Sequence, residues 1–108
     1  MQRLLYRLYL RLMMIRVNAG QWLYQRYLSR RKAELAEADL SYLNLSGTNL
    51  RSADLRNANL RRCDLTNVDL TNADLSGADL TAALVSEEQL SAAASLTGTT
   101  LPDGTIHI

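Results

Sequence analysis

Leucine recurs at every fifth position through the middle of this chain, and this spacing limits the possible folds more than any other feature. The ten leucines are Leu35, Leu40, Leu45, Leu50, Leu55, Leu60, Leu65, Leu70, Leu75 and Leu80. On an α-helix each step would rotate the leucine by about 140°, and on a flat strand successive leucines would alternate between faces. The pattern therefore excludes a simple helix or strand over this stretch.

The five-residue unit has two further regular positions. Two residues before most leucines stands a small or medium apolar residue, such as Ala38 or Val68, with Thr48 as the polar exception. The residue directly before most leucines is Asp or Asn. Such a unit can form one side of a square coil, with the leucine and the residue two before it pointing inward. Four units then close one turn, and residues twenty apart stack at the strand spacing of about 4.8 Å.

These units resemble the repeats of the pentapeptide-repeat family. The resemblance rests on AEADL, RSADL, RNANL, TNADL and SGADL, and it covers residues 33–85. It implies an all-β solenoid, a right-handed quadrilateral β-helix, in which the eleven units of this chain make about 2.75 coils. The segment SLTGTTLPDG is also similar to the tails of bacterial members, especially cyanobacterial ones.

The ten leucines and Cys63 form the predicted core of this solenoid. Cys63 falls at an inward position, so we interpret it as a small buried hydrophobe and not as a reactive thiol. Because so short a solenoid would expose its core at both ends, we expect helical caps. Ser86 and Gln89 have the spacing of a capping box, which predicts a short helix from there through Ala94. We expect the remaining tail to lie extended against the last coil.

The first 32 residues differ sharply in charge from the rest. They contain eight basic residues and no acid, whereas residues 33–108 contain four arginines and eleven acids. Residues 2–17 lack Gly and Pro and place several arginines in one stripe beside an arc of leucines, which predicts a helix. We therefore divide the chain into a basic N-terminal helical segment at 1–32, the β-helix at 33–85, and a C-terminal capping helix with an extended tail at 86–108.

Three roles are open for residues 1–32: a cap on the first coil, a basic amphipathic helix on an anionic membrane, and a helix that docks on a partner protein. The cap is favoured because the first coil needs a cover and the two parts carry opposite charge. In the other two roles Arg3, Arg7, Arg11 and Trp22 are the candidate contacts with the membrane or the partner.

The arginines of this segment also bear on location. Four of them lie within the first sixteen residues and break every long apolar run, so neither a membrane span nor a secretion signal is expected. The expected location is the cytoplasm, with the inner face of the membrane as the alternative.

The sequence predicts no catalytic chemistry. The sole histidine, His107, is not part of any catalytic pattern, and the aspartates stand at a repeat position that already explains their number. Because the chain has no phosphate-binding loop and no metal-ligand spacing, we expect no cofactor and no metal. We interpret the protein as a non-enzymatic scaffold or protein-interaction module with an unknown protein partner. The candidate interaction surface consists of Arg51, Arg56, Arg61 and Arg62.

Two other functions stay open. One is a membrane-peripheral protein that residues 1–32 tether to the surface. The other follows from the resemblance, because some family members mimic DNA and bind DNA gyrase. The coils here would span only about 13 Å against about 34 Å for one turn of duplex, so this alternative is less favoured. Nucleic acid is not an expected partner, and a homodimer is left open.

Overall fold

The computed structural model describes residues 34–108, and the backbone of its repeat region runs in four-sided coils that stack in parallel. Each side of a coil contains one β-bridge, which joins a residue to the residue twenty positions later in the chain. The first coil meets the second through Glu34 and Asp54, Asp39 and Asn59, Asn44 and Asp64, and Asn49 and Asp69. These pairs lie on four successive sides, so four units close one coil, as the sequence predicts.

Backbone hydrogen bonds join each coil to the next in both directions. The N–H of Leu40 donates to the carbonyl of Asn59 at 2.8 Å, and the N–H of Asn59 donates back to the carbonyl of Ala38 at 2.8 Å. The corners are joined as well, since the N–H of Tyr42 donates to the carbonyl of Arg61 at 2.9 Å. Because the sides are so short, this continuous ladder replaces the long strands of an ordinary sheet.

The chain turns a corner directly after each leucine of the repeat. The second residue of the corner has a left-handed φ, between 56° and 65° at eight non-glycine positions. The N–H of the residue that follows the corner then donates to the carbonyl of the leucine before the corner, as the N–H of Ala38 does to Leu35 at 3.0 Å. Asparagine tolerates this conformation, but bulky residues such as Tyr42 and Arg62 adopt it only when the surrounding structure holds them there.

The interior is a stack of leucines. All ten leucines of the repeat are at most 1% exposed, and Cys63 is fully buried. Thr48 is buried too, and its hydroxyl has no hydrogen-bond partner in the part of the chain that the structure describes. Two other buried donors at the same inward position do have one: Cys63 Sγ donates to the Leu40 carbonyl at 2.8 Å, and Thr99 Oγ1 to the Leu75 carbonyl at 2.6 Å. Both acceptors belong to the preceding coil, which residues 34–108 do not supply for Thr48.

A short helix, α1 (Glu87–Ser91), covers one side of the C-terminal end. Ser86 and Gln89 form the predicted capping box, with Ser86 Oγ accepting the Gln89 N–H at 3.1 Å and Gln89 Oε1 accepting the Ser86 N–H at 2.8 Å. The prediction of a helix through Ala94 is wrong, because the N–H of Ala94 donates to the Ala73 carbonyl and already belongs to the next coil-to-coil ladder.

The tail continues the stack and then turns back. Ser95 pairs with Asp74 and Thr100 with Asp79 in parallel, at a spacing of twenty-one residues because α1 adds one residue to the coil. After the turn at residues 102–104 the chain runs antiparallel, and Ile106 pairs with Thr100. Leu96 and Leu101 pack against the core, but Ile106 is 66% exposed, so the inward leucine position does not extend to it.

The contrast between the two buried threonines predicts opposite effects of valine. Thr48→Val removes a buried hydroxyl that no residue from 34 to 108 bonds, and it should raise the free energy of unfolding by about 1–2 kcal/mol. Thr99→Val removes a bonded hydroxyl and should lower it by about 1 kcal/mol. Urea unfolding followed by circular dichroism measures both. Equal destabilisation by the two substitutions would mean that the Thr48 hydroxyl has a partner.

Candidate functional site

The outward Asp and Asn side chains of the repeat are bonded to their own corners. In each case Oδ1 accepts the N–H of the residue two positions on, at 3.0 Å from Ser46 to Asn44 and at 3.0 Å from Thr71 to Asp69. This is the Asx turn, in which the side chain takes the place of a backbone carbonyl. The full set is Asp39, Asn44, Asn49, Asp54, Asn59, Asp64, Asp69, Asp74, Asp79 and, in the tail, Asp103.

These bonds favour the ionised carboxylate. The hydroxyl of Thr71 is the largest cause of the lowered pKa of Asp69, followed by the N–H of the same residue, and the pKa of Asp64 and of Asp74 is lowered in the same way. At Asp79 burial acts to raise the pKa, but bonds from the corner hydroxyl and amide, with an arginine, outweigh it. A carboxyl that holds a corner in its ionised form is not poised to exchange a proton near neutral pH.

The four candidate arginines occupy three different corners and do not form one surface. Only Arg61 and Arg62 share a corner. Three of the four make ion pairs: Arg51 with Asp69 at 3.3 Å, Arg56 with Asp54 at 2.8 Å, and Arg61 with Asp79 at 3.1 Å. Their charge is therefore largely balanced by the solenoid itself.

Arg56 makes the closest of these pairs. Its Nε and Nη2 donate to the two oxygens of Asp54 at 2.9 and 2.8 Å, and these bonds raise the pKa of the guanidinium above its usual range. Asp54 pairs with Asp74 across the coils, so the arginine also offsets repulsion between two stacked carboxylates. The shallow hollow beside them has a volume of about 130 Å³, which is smaller than a typical small-molecule pocket.

Arg62 differs from the other three because it has no ion pair within residues 34–108. Its guanidinium carbon lies 5.8 Å from the centre of the Tyr42 ring, within the range of a cation–π interaction. Tyr42 is 72% exposed, and Leu84 on the adjoining side is 61% exposed. The N–H of Leu84 donates to the carbonyl of Cys63 at 2.9 Å, which places Leu84 one coil beyond the residues that follow Arg62. We refer to Tyr42, Arg62 and Leu84 as the corner surface.

Sequence reasoning named Arg62 but missed Tyr42 and Leu84 as surface residues. The signal was present, because both depart from the repeat. Leu84 stands at the position where most units have Asp or Asn, and Tyr42 is the aromatic residue among the second corner positions of the repeat. Such departures from the repeat could have been identified in the sequence as candidate surface positions.

The remaining candidate residues do not add a chemical site. Burial raises the pKa of the Cys63 thiol to about 11, so it stays protonated and unreactive at neutral pH. Among residues 34–108 no group of His, Cys, Asp and Glu is arranged to hold a metal ion, and no helix there is long and apolar enough to cross a membrane. Arg3, Arg7, Arg11 and Trp22 lie outside the described residues.

The family model for pentapeptide repeats matches residues 33–72 and 48–86, with eight copies of the repeat. The chain belongs to the pentapeptide-repeat family. Pentapeptide-repeat proteins form right-handed quadrilateral β-helices, and the fold is generally one of structure and interaction, not of catalysis. The four-sided parallel coils described above agree with this architecture.

Two solved pentapeptide-repeat structures are similar to this one. The chain is 33% identical to a pentapeptide repeat protein from Nostoc Pcc 7120, over 79% of this chain and 75% of that chain, with a TM-score of 0.35. It is 28% identical to HetL, a pentapeptide repeat protein involved in heterocyst differentiation regulation from the cyanobacterium Nostoc sp. strain PCC 7120. That likeness covers 70% of this chain and 48% of HetL, about half its length, with a TM-score of 0.31. No curated protein matches the chain in sequence.

The lowered aspartate pKa values predict that this pentapeptide-repeat protein loses stability in acid. A carboxyl whose folded pKa lies below its unfolded pKa contributes stability that is complete above the unfolded value, about 4, and is lost as the pH falls through the folded value. The variant Asp64→Asn/Asp74→Asn should therefore lose less stability than the parent below about pH 4, since asparagine keeps the Asx turn without titrating.

Urea unfolding at several pH values tests this expectation. The matched control is Glu87→Gln/Glu88→Gln, which removes two carboxylates from α1 that make no Asx turn. A double aspartate variant as sensitive to acid as the parent would show that these carboxylates do not govern the acid transition.

Proposed function

We propose that this pentapeptide-repeat protein is a non-enzymatic interaction module that binds a protein partner through its corner surface. The observation that carries the proposal is the pairing pattern of the arginines. Three of them are paired with aspartates, whereas Arg62 stacks on an exposed tyrosine and makes no ion pair with any residue from 34 to 108. A site with this composition suits recognition and provides no catalytic group.

The residue types of the corner surface support binding of a protein. Tyrosine and arginine are enriched among the residues that contribute most to protein–protein affinity. Leu84 adds apolar area beside them that no described residue covers. The combination fits a partner segment that presents a carboxylate to Arg62 and an apolar side chain to Leu84.

The geometry also lowers the entropic cost of binding. Tyr42 and Arg62 both have a left-handed φ, at 65° and 56°, which restricts their backbones, and each N–H is bonded to the following coil. The ring then holds the guanidinium in place through the cation–π contact. A cation that is fixed before the partner arrives loses less freedom when it binds than a free arginine would.

Two matched variants test the proposal. Arg62→Ala/Leu84→Asp alters the corner surface, and Arg56→Ala removes an exposed arginine from a different corner. Both should unfold at nearly the parent's urea concentration because the altered side chains are exposed. The full chain is immobilised, and saturable binding of proteins from the cells that produce it is measured by mass spectrometry.

We expect the corner variant to lose the bound protein and Arg56→Ala to retain it. Equal binding by the parent and both variants would reject the corner surface. Loss of binding in both variants to the same extent would indicate a dependence on net charge and would also reject it.

A further inference from the structure

The N-terminal end of the coil stack contains backbone N–H groups that no residue from 34 to 108 pairs with. In the second coil the N–H of Asp64 donates to the Leu43 carbonyl at 3.0 Å, and the N–H of Asp69 donates to the Thr48 carbonyl at 3.2 Å. The equivalent groups of the first coil are the N–H groups of Asn44 and Asn49, and no residue from 34 to 108 accepts a hydrogen bond from them. This edge therefore offers backbone donors to whatever lies beyond it.

The inward side chains at this end are nevertheless buried. Leu35, Leu40, Leu45 and Leu50 of the first coil are 1%, 1%, 0% and 1% exposed, as little as the leucines of the coil that follows. A middle coil is covered by neighbours on both sides, whereas residues 34–108 give the first coil a neighbour on one side only. The leucines of the first coil therefore need a cover on their N-terminal side that residues 34–108 do not supply.

Thr48 is evidence of the same kind. Its hydroxyl is buried and bonds no residue from 34 to 108, while the equivalent groups of Cys63 and Thr99 donate to the coil on their N-terminal side. The Thr48 hydroxyl thus lies where the preceding coil would accept its proton, at the uncovered end. The end that needs a cover is also the end where the chain enters the solenoid at Glu34.

We propose that residues 1–32 of this chain cover the N-terminal end of the coil stack as an intramolecular cap. Position favours this occupant, because residue 32 is joined directly to the first unit of the solenoid. Charge favours it as well, because the segment carries eight basic residues and no acid, while the rest of the chain carries eleven acids and four arginines. The leucine arc of residues 2–17 supplies the apolar face that would lie over the buried leucines.

A cap of this kind is separate from the proposed interaction function, and it restricts the surfaces through which the protein can bind a membrane or a partner. A segment that lies on its own solenoid does not hold the protein on a membrane, and its apolar face is not a second docking surface. The corner surface stands on outward positions of the coils, so capping and partner binding are compatible.

Photo-cross-linking in the full chain tests the cap without removing it. Benzoylphenylalanine is placed at position 44, which lies on the first coil, and in a control variant at position 84. Position 84 lies on the same side of the solenoid but two coils, or about 10 Å, further from the N-terminal end. Mass spectrometry identifies the linked peptides, and a mixture of isotopically heavy and light chains separates links within one chain from links between chains.

We expect position 44 to cross-link to peptides from residues 1–32 of the same chain, and position 84 to give no such link. Links between heavy and light chains would identify a second copy as the cover and would overturn the proposal. Absence of any link from position 44, in a protein with the parent's circular dichroism spectrum, would overturn it too.

A second measurement separates the cap from a membrane tether. The full chain is mixed with vesicles of phosphatidylglycerol at low salt, and both co-sedimentation and the cross-link from position 44 are measured. We expect no co-sedimentation and an unchanged cross-link. Binding to the vesicles with loss of the cross-link would show that residues 1–32 contact lipid instead.

Discussion

The hydrogen bond that each outward Asp or Asn side chain accepts from the backbone N–H two residues on is the interaction on which the rest of the structure depends. It holds a corner that would otherwise open, because the second corner residue has a left-handed backbone that most side chains disfavour. Only a corner after every unit lets twenty residues close one coil. That closure in turn brings the leucines into columns and aligns the backbone ladder between coils.

This dependence explains which features could be predicted from the sequence. The leucine spacing and the Asp or Asn before it determine the sides and corners directly, so the buried leucines, Cys63 and the four-unit coil follow from the pattern alone. The capping box of Ser86 and Gln89 could also be predicted, because its residues are close in sequence. The family and its β-helix were predictable for the same reason, since the evidence is local and repeated ten times.

Features that depend on contacts between coils could not be predicted in this way. Arg51 and Arg61 pair with aspartates eighteen residues on, and Arg56 pairs with a residue of its own corner, although all three stand at the same repeat position. The sequence gives no reason to prefer one partner over the other. The extra residue that α1 inserts, and the antiparallel return that exposes Ile106, likewise depend on how the C-terminal end is closed and not on the period of the repeat.

The two ends of the solenoid present different backbone groups, so they need different covers. At the C-terminal end Gln89 Nε2 donates to the carbonyls of Leu65 and Val68 at 2.7 and 2.9 Å, so one side chain replaces the missing backbone donors. At the other end Asn44 and Asn49 present backbone N–H groups without acceptors among residues 34–108. Hydrocarbon offers no acceptor and would make these groups costly, whereas a peptide segment brings carbonyls with it. The chemistry of this edge therefore favours a peptide over lipid as its cover, which agrees with the cap that we propose for residues 1–32.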